Sequence, residues 1–113
     1  MQTLPGLLDE FAASVVLKAM DGDRLVGSVR ARETEGRCGI GRLIVDPKRQ
    51  GRGIGTLLMR HIEALFPQAR AFELFTGGRS QGNLRLYERL GYRRICEKVL
   101  SPAVTLVFLE KLP

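Results

Sequence analysis

Apolar and polar positions change rhythm along the chain: strand-like alternation first, a helical period in the middle, then strand-like segments around a shorter helix. Ser14 to Met20 is apolar and partly β-branched, the character of a strand. Asp21-Gly22-Asp23 tolerates positive φ, and Leu25 to Arg32 reads as the returning strand of a hairpin. A period of two puts Leu25, Val29 and Ala31 on one face of that strand, and Ser28, Arg30 and Arg32 on the other. A turn at Glu33 to Gly36 leads into a third strand, Cys38 to Val45, which Asp46-Pro47 ends. From Gly53 to Phe66 the period becomes helical. Ile54, Leu57, Leu58, His61, Ile62 and Leu65 recur at three- and four-residue spacing, and Pro67 stops the helix. His61 lies on this stripe and is expected to be packed and hydrogen-bonded. Phe72 to Thr76 follows as a strand broken by Gly77-Gly78. A short helix runs from Gly82 or Asn83 to Leu90, with Gly91 as its left-handed stop. Two apolar strands, Tyr92 to Cys96 and Val104 to Leu109, close the chain through Ser101-Pro102. Before all of these, Leu7 to Phe11 reads as a helical turn. A meander followed by strand-helix-strand crossovers predicts a mixed α/β sheet.

No repeat, linker or low-complexity tract interrupts the pattern, so residues 1–113 read as a single domain with one core. At 44% hydrophobic and 27% charged, the composition is that of an ordinary globular protein. No apolar run approaches the roughly 20 residues that span a bilayer, and the first residues lack the basic-then-apolar order of a signal peptide. A cytoplasmic location is therefore expected. Cys38 and Cys96 are far apart in apolar runs and predict two buried thiols; their spacing matches no zinc pattern, and no metal is expected. The formal net charge of +6 points to an anionic partner. Aromatics do not interleave with basic residues as on a nucleic-acid stacking platform. No helix pairs a basic face with large apolar residues as at a membrane surface. A phosphate-bearing small molecule remains.

The chain offers that molecule a place. Gln50-Gly51-Arg52-Gly53-Ile54-Gly55-Thr56 lies between a strand and the start of the long helix. A helix start carries unpaired N–H groups and the positive end of the macrodipole. Three glycines at alternate positions remove the Cβ atoms that would hold a phosphate away, and Arg49 and Arg52 add charge. The turn is not a P-loop, because no Lys-Ser/Thr pair follows its last glycine, and it is not the Gly-x-Gly-x-x-Gly dinucleotide pattern.

Gln50-x-x-Gly53-x-Gly55 resembles the pyrophosphate-binding signature of the GNAT superfamily of N-acetyltransferases, written as Gln or Arg, two residues, Gly, one residue, Gly or Ala. Leu43-Ile44-Val45-Asp46-Pro47 is similar to the family's fourth strand and its exit, and Asn83 to Tyr92 to its second cofactor-contacting motif. The resemblance covers nearly everything from Val15 onward. It implies a mixed, mostly antiparallel sheet of GNAT topology, acetyl-CoA as acetyl donor, and direct transfer to a primary amine. It further implies that backbone groups of Leu43, Ile44 and Val45 hold the pantetheine arm. The Val45 amide would polarise the thioester carbonyl. Amides around Gly51, Arg52, Gly53, Ile54, Gly55 and Thr56 would hold the pyrophosphate beside Gln50, and Asn83 would contact the arm. Tyr87 falls at the family's general acid; a phenol, with a reference pKa of about 10, is protonated at neutral pH. Glu73 is the nearest candidate for the base, with Glu33 and Glu35 more distant.

The resemblance is incomplete at its beginning. About a dozen residues precede the first strand, too few for the strand and two helices with which family members open. The usual first strand and first helices are thus expected to be missing, with Gln2 to Phe11 as a remnant of the second helix. A partner copy in a homodimer could fill the gap, or the missing piece could lie outside these residues. The alternative is an acyl-CoA-binding module with little or no turnover. The acceptor amine is not identified by the sequence, although Arg79 in Gly77-Gly78-Arg79-Ser80 is placed to favour an anionic group.

Overall fold

The computed structural model describes residues 14–113; the expected turn at Leu7 to Phe11 and the helix remnant at Gln2 to Phe11 lie outside them. Three strands open the described chain, β1 (Ser14–Asp21), β2 (Arg24–Thr34) and β3 (Arg37–Val45). A 3₁₀ turn (Pro47–Arg49) leads to helix α1 (Ile54–Ala64), then β4 (Ala71–Gly77), α2 (Gln81–Arg89), β5 (Arg93–Ser101) and β6 (Val104–Lys111).

Local chemistry explains the joints. Asp21 pairs with Arg24 around Gly22, whose φ is 60°. Thr34 pairs with Arg37 around Glu35 and Gly36, both at positive φ, the two-residue hairpin pattern that matches strand twist. At the end of α2, the Tyr92 amide donates to the Tyr87 carbonyl (3.0 Å) and the Gly91 amide to that of Glu88 (3.1 Å), with Gly91 at φ 102°. This is a Schellman stop, and its usual apolar contact is made by the edge-on rings of Tyr87 and Tyr92, 6.0 Å apart. Tyr92 therefore belongs to the cap of α2, and β5 starts one residue later than expected and runs on to Ser101.

The strands form one sheet in the order β1-β2-β3-β4-β6-β5, antiparallel except for the β3–β4 pair. One face carries the core. Leu58, Met59 and Ile62 of α1, and Leu84 and Tyr87 of α2, pack with Val29, Ala31, Cys38, Ile40, Phe72, Leu74, Val107 and Leu109 of the sheet. The other face leaves Val16, Phe75 and Ile95 each more than half exposed.

Four expectations about faces are corrected. Leu25 is exposed and Val26 buried, because Ala19 pairs with Gly27 while Met20 pairs with Leu25; the extra residue flips the alternation. On α1, Leu57, His61 and Leu65 are exposed, and the buried line runs through Leu58, Met59, Ile62 and Phe66 beyond the helix end. The helix is apolar over more than half its circumference, so spacing alone does not locate its buried arc. Contact with Gly27 does: a Cβ there would stand 3.0 Å from Leu58 Cδ1 and 3.1 Å from Ile54 Cγ2. His61 is thus not a packed core residue. Cys38 is buried as expected, but Cys96 is exposed on β5, an edge strand exposed along nearly its whole length. Among the described residues no helix is long and apolar enough to cross a membrane.

Candidate functional site

The site begins where the sheet comes apart. β3 and β4 pair only through Arg37–Ala71, Cys38–Phe72 and Gly39–Glu73. Beyond Gly39 and Glu73 the two strands have no shared register, and their C-terminal halves form the arms of a V. A bulge in β3 marks the opening: Ser28 pairs with Ile44 and Arg30 with Gly41, so Val29 faces both Arg42 and Leu43. Arg42 sits there at φ 53°.

On the helix side of the V lies a cleft of about 590 Å³. Leu43, Ile44 and Val45 line it from β3, Gln50, Gly51 and Gly53 from the turn, Ile54, Gly55 and Thr56 from the first turn of α1, and Asn83 from α2. Gly51 and Gly53 hold φ of 79° and 81°, and a Cβ on either would meet no protein atom within 4 Å. The turn thus has the left-handed conformations that glycine permits, and open space beside it. The first hydrogen bond of α1 runs from the Leu57 amide to the Gly53 carbonyl (2.9 Å), and among the described residues no side chain caps the helix. The amides of Ile54, Gly55 and Thr56 are therefore left without an intrahelical partner at the edge of the cleft. Gly55 also lets α2 approach, since its Cβ would stand 3.1 Å from Leu86 Cδ2. Arg49, Arg85 and Arg89 complete the lining. Arg49 Nη1 is 2.5 Å from Asp21 Oδ2, and that hydrogen bond and charge hold the Asp21 carboxyl below its ordinary value. Among the described residues, the cleft is bordered by uncapped amides and arginines and by no carboxylate.

The sequence profile of the acetyltransferase (GNAT) family matches residues 3–92. The chain belongs to the GNAT acetyltransferase family. A search of curated proteins returned no significant relative. Solved structures share the fold at low identity. An IAA acetyltransferase from Bacillus cereus superposes with a TM-score of 0.81 at 20% identity, covering 98% of this chain and 85% of its own. The ribosomal-protein-S18-alanine N-acetyltransferase from Escherichia coli gives 0.79 at 13% identity, covering 88% and 69%. A GNAT family acetyltransferase from Elizabethkingia anophelis, solved with acetyl-CoA bound, gives 0.78 at 16% identity, covering 98% and 84%.

Within this GNAT frame the remaining expected residues fall outside the cleft. Arg52 is exposed on the turn but does not line the cavity. Tyr87 is 5% exposed, one residue after Leu86 on the cleft wall, with its ring in the core. Burial pushes its phenol up to about 12. Glu73 stands at the apex of the V on the opposite face. Its Oε2 accepts from Arg37 Nε (3.0 Å) and Nη2 (2.9 Å), and Arg37 also pairs with Glu110. Both carboxylates raise the Arg37 pKa further. Glu35 is in the β2–β3 turn at the closed end of the V, where its carbonyl accepts from Arg70 Nη2 (2.5 Å); Glu33 pairs in register with Cys38 near the same end. Arg79 lies in an exposed turn held by the Gly78 amide on the Thr105 carbonyl (2.8 Å), and does not line the cleft. The residues that sequence reasoning missed are Arg85 and Arg89. Their signal is a four-residue spacing on α2, on the opposite side from the buried Leu84.

Proposed function

We propose that the chain transfers the acetyl group of acetyl-CoA to a primary amine by direct attack. The observation that carries this reading is the uncapped start of α1, set in a left-handed glycine turn and continuous with the open V between β3 and β4. An acetyl-CoA complex of a structural neighbour supports the choice of donor, and the name of the E. coli neighbour supports an amine acceptor.

Acetyl-CoA supplies an activated acetyl thioester. The chain's own part is to hold, orient and move protons. Amides of Ile54, Gly55 and Thr56, with Arg49, Arg85 and Arg89 around them, suit the pyrophosphate. The arm of β3 that parts from β4, Leu43 to Val45, offers backbone groups on that edge to the pantetheine amides, and the Val45 amide suits the carbonyl oxygen where negative charge develops. Asn83 adds a side-chain amide to the same wall. The amine nitrogen bonds to the acetyl carbon, the carbon–sulfur bond breaks, the amine gives up a proton and the thiolate accepts one.

Tyr87 is the candidate to meet the thiolate. A phenol pushed to about 12 is a weaker acid than a thiol of about 8.5. It therefore acts best as a hydrogen-bond donor that steadies the thiolate rather than as a full proton source. Glu73 is the candidate base beside the V, and taking an amine proton requires its pair with Arg37 to loosen.

The test is calorimetric titration with acetyl-CoA, with Gly53→Glu alongside. The variant puts a side chain and a negative charge at the φ 81° position, and is expected to abolish binding that the wild type shows. Equal binding by both would move the donor off this turn. Binding without turnover on any amine would instead favour a module that only holds acyl-CoA.

A further inference from the structure

The outer face of the sheet carries a second cavity, a groove of about 1090 Å³ that straddles the V. We infer that it takes the N-terminus of an acidic peptide, whose α-amine is the acceptor; this rests on the acetyl-transfer reading above and names its substrate class.

The two cavities meet at the β3 bulge: Arg42 lines the groove, and the next residue, Leu43, lines the donor cleft. An amine in the groove beside Arg42 is thus next to the arm of the V. The groove is strongly one-sided in charge. Arg30 of β2 and Arg42 of β3 line it, beside Arg32, which already has an interaction partner, and among the described residues its carboxylate is Glu73, engaged by Arg37. Such a surface attracts carboxylates and repels further cations on the substrate. Arg42 is held there by an unusual backbone, since a non-glycine residue at φ 53° is uncommon and concentrates at functional sites.

Length separates a peptide from a small molecule. The lining extends from Val16 on β1 to Ile95 on β5, the two ends of the strand order. At roughly 4.8 Å between strands this is about 24 Å, and the part from β3 to β1, about 10 Å, takes about three extended residues beyond an N-terminus at the V. The chemistry is also graded along that line. The arginines lie on the β2–β3 side of the V. On the other side Phe75, 58% exposed, stacks with Phe108 at a ring distance of 5.5 Å. An apolar first residue against Phe75, followed by acidic residues running toward β2, matches both halves. Such partly exposed aromatic surface beside charge is typical of a recognition patch.

The experiment compares acetylation of three seven-residue peptides with a leucine N-terminus and no lysine, carrying at positions two to four glutamate, glutamine or arginine. Free leucine and glutamic acid serve as small amines. The acidic peptide is expected to exceed the glutamine peptide at least tenfold in kcat/KM at low salt, and the arginine peptide by more. The advantage is expected to shrink with added salt. Arg30→Glu, on a regular part of β2, is expected to narrow or reverse the order; Arg42→Gln is the second variant. Both are expected to bind acetyl-CoA as the wild type does. Equal rates on the three peptides, or an acidic preference that neither variant changes, would overturn the inference. So would acetylation of free glutamic acid as efficient as that of the peptide. Acetyl-CoA binding with no peptide acetylated overturns it while leaving the donor site standing, whereas no acetyl-CoA binding at all removes both.

Discussion

Arg42 is the residue on which two demands conflict. It occupies a bulge position at φ 53° that glycine would fill without strain, yet it carries a guanidinium into the outer groove. A left-handed conformation costs a non-glycine residue roughly 1–2 kcal/mol. Glycine gives back part of that, about 0.4–1 kcal/mol, through the greater freedom of its unfolded chain. Arg42→Gly is therefore expected to stabilise the fold by up to about 1.6 kcal/mol, read as a raised urea midpoint with unchanged slope. If the groove selects acidic acceptors, the same variant loses kcat/KM on them. A variant that becomes more stable and less active would show strain retained for recognition. A variant that loses stability would show that the arginine makes compensating contacts, and that the bulge is not strained.

At the scale of elements, the seating of α1 on β2 depends on the missing side chain of Gly27. A Cβ there would meet Leu58 Cδ1 at 3.0 Å, the Ile44 carbonyl at 3.1 Å and Ile54 Cγ2 at 3.1 Å, two of them on α1 and one on the strand that forms the V. Gly27→Ala is expected to cost about 1–3 kcal/mol by overpacking. It should also weaken acetyl-CoA binding, because moving α1 moves the amides of Ile54 to Thr56; denaturation and titration of the one variant check both. An unchanged affinity in a destabilised protein would mean that the turn is positioned independently of the helix. This contact also shows where the sequence stopped being legible. The β-branched strands, the glycine turn and the Gly91 stop are local chemistry, and each element appears within a few residues of its expected place, β5 alone running well past its expected end. Which side of α1 is buried is decided by Gly27, distant in sequence, and the alternation in β2 is reversed by an extra residue that no single-strand period contains. In the site, the residues on the turn and on β3 were legible because they follow one another. Arg85 and Arg89 were not, because their relation to the turn exists only once Leu86 has packed against Gly55.

Across the whole molecule, separate elements of the fold are tied by one part-buried cluster. Tyr92 Oη donates to Glu63 Oε2 at 2.7 Å, Lys111 Nζ donates to Glu63 Oε1 at 2.9 Å, and the ammonium lies 5.7 Å from the Tyr92 ring centroid. This joins α1, the α2–β5 link and the last strand, and it depends on Tyr92 keeping its proton. Burial first, and then the Glu63 carboxylate, raise the Tyr92 phenol well above its ordinary value. Burial alone lifts Tyr87 to about 12, and burial with nearby carboxylates lifts the Cys38 thiol to about 11. In all three the folded state prefers the neutral form. The stability this confers is complete below the unfolded values, about 8.5 for a thiol and 10 for a phenol. It is lost as pH rises, because the unfolded chain releases those protons first. Each group costs about 1.4 kcal/mol for every pH unit over which only the unfolded chain is ionised. The melting temperature is therefore expected to be flat from pH 7 to 8, to fall from about pH 8.5, and to fall more steeply above pH 10. Tyr92→Phe removes one of the groups, and is expected to melt lower at pH 7, where the hydrogen bond to Glu63 is lost, but to show a shallower decline above pH 10. Parallel curves for the two proteins would mean that Tyr92 ionises without opposing the fold, and that the cluster holds the C-terminal strand through Lys111 and Glu63 alone.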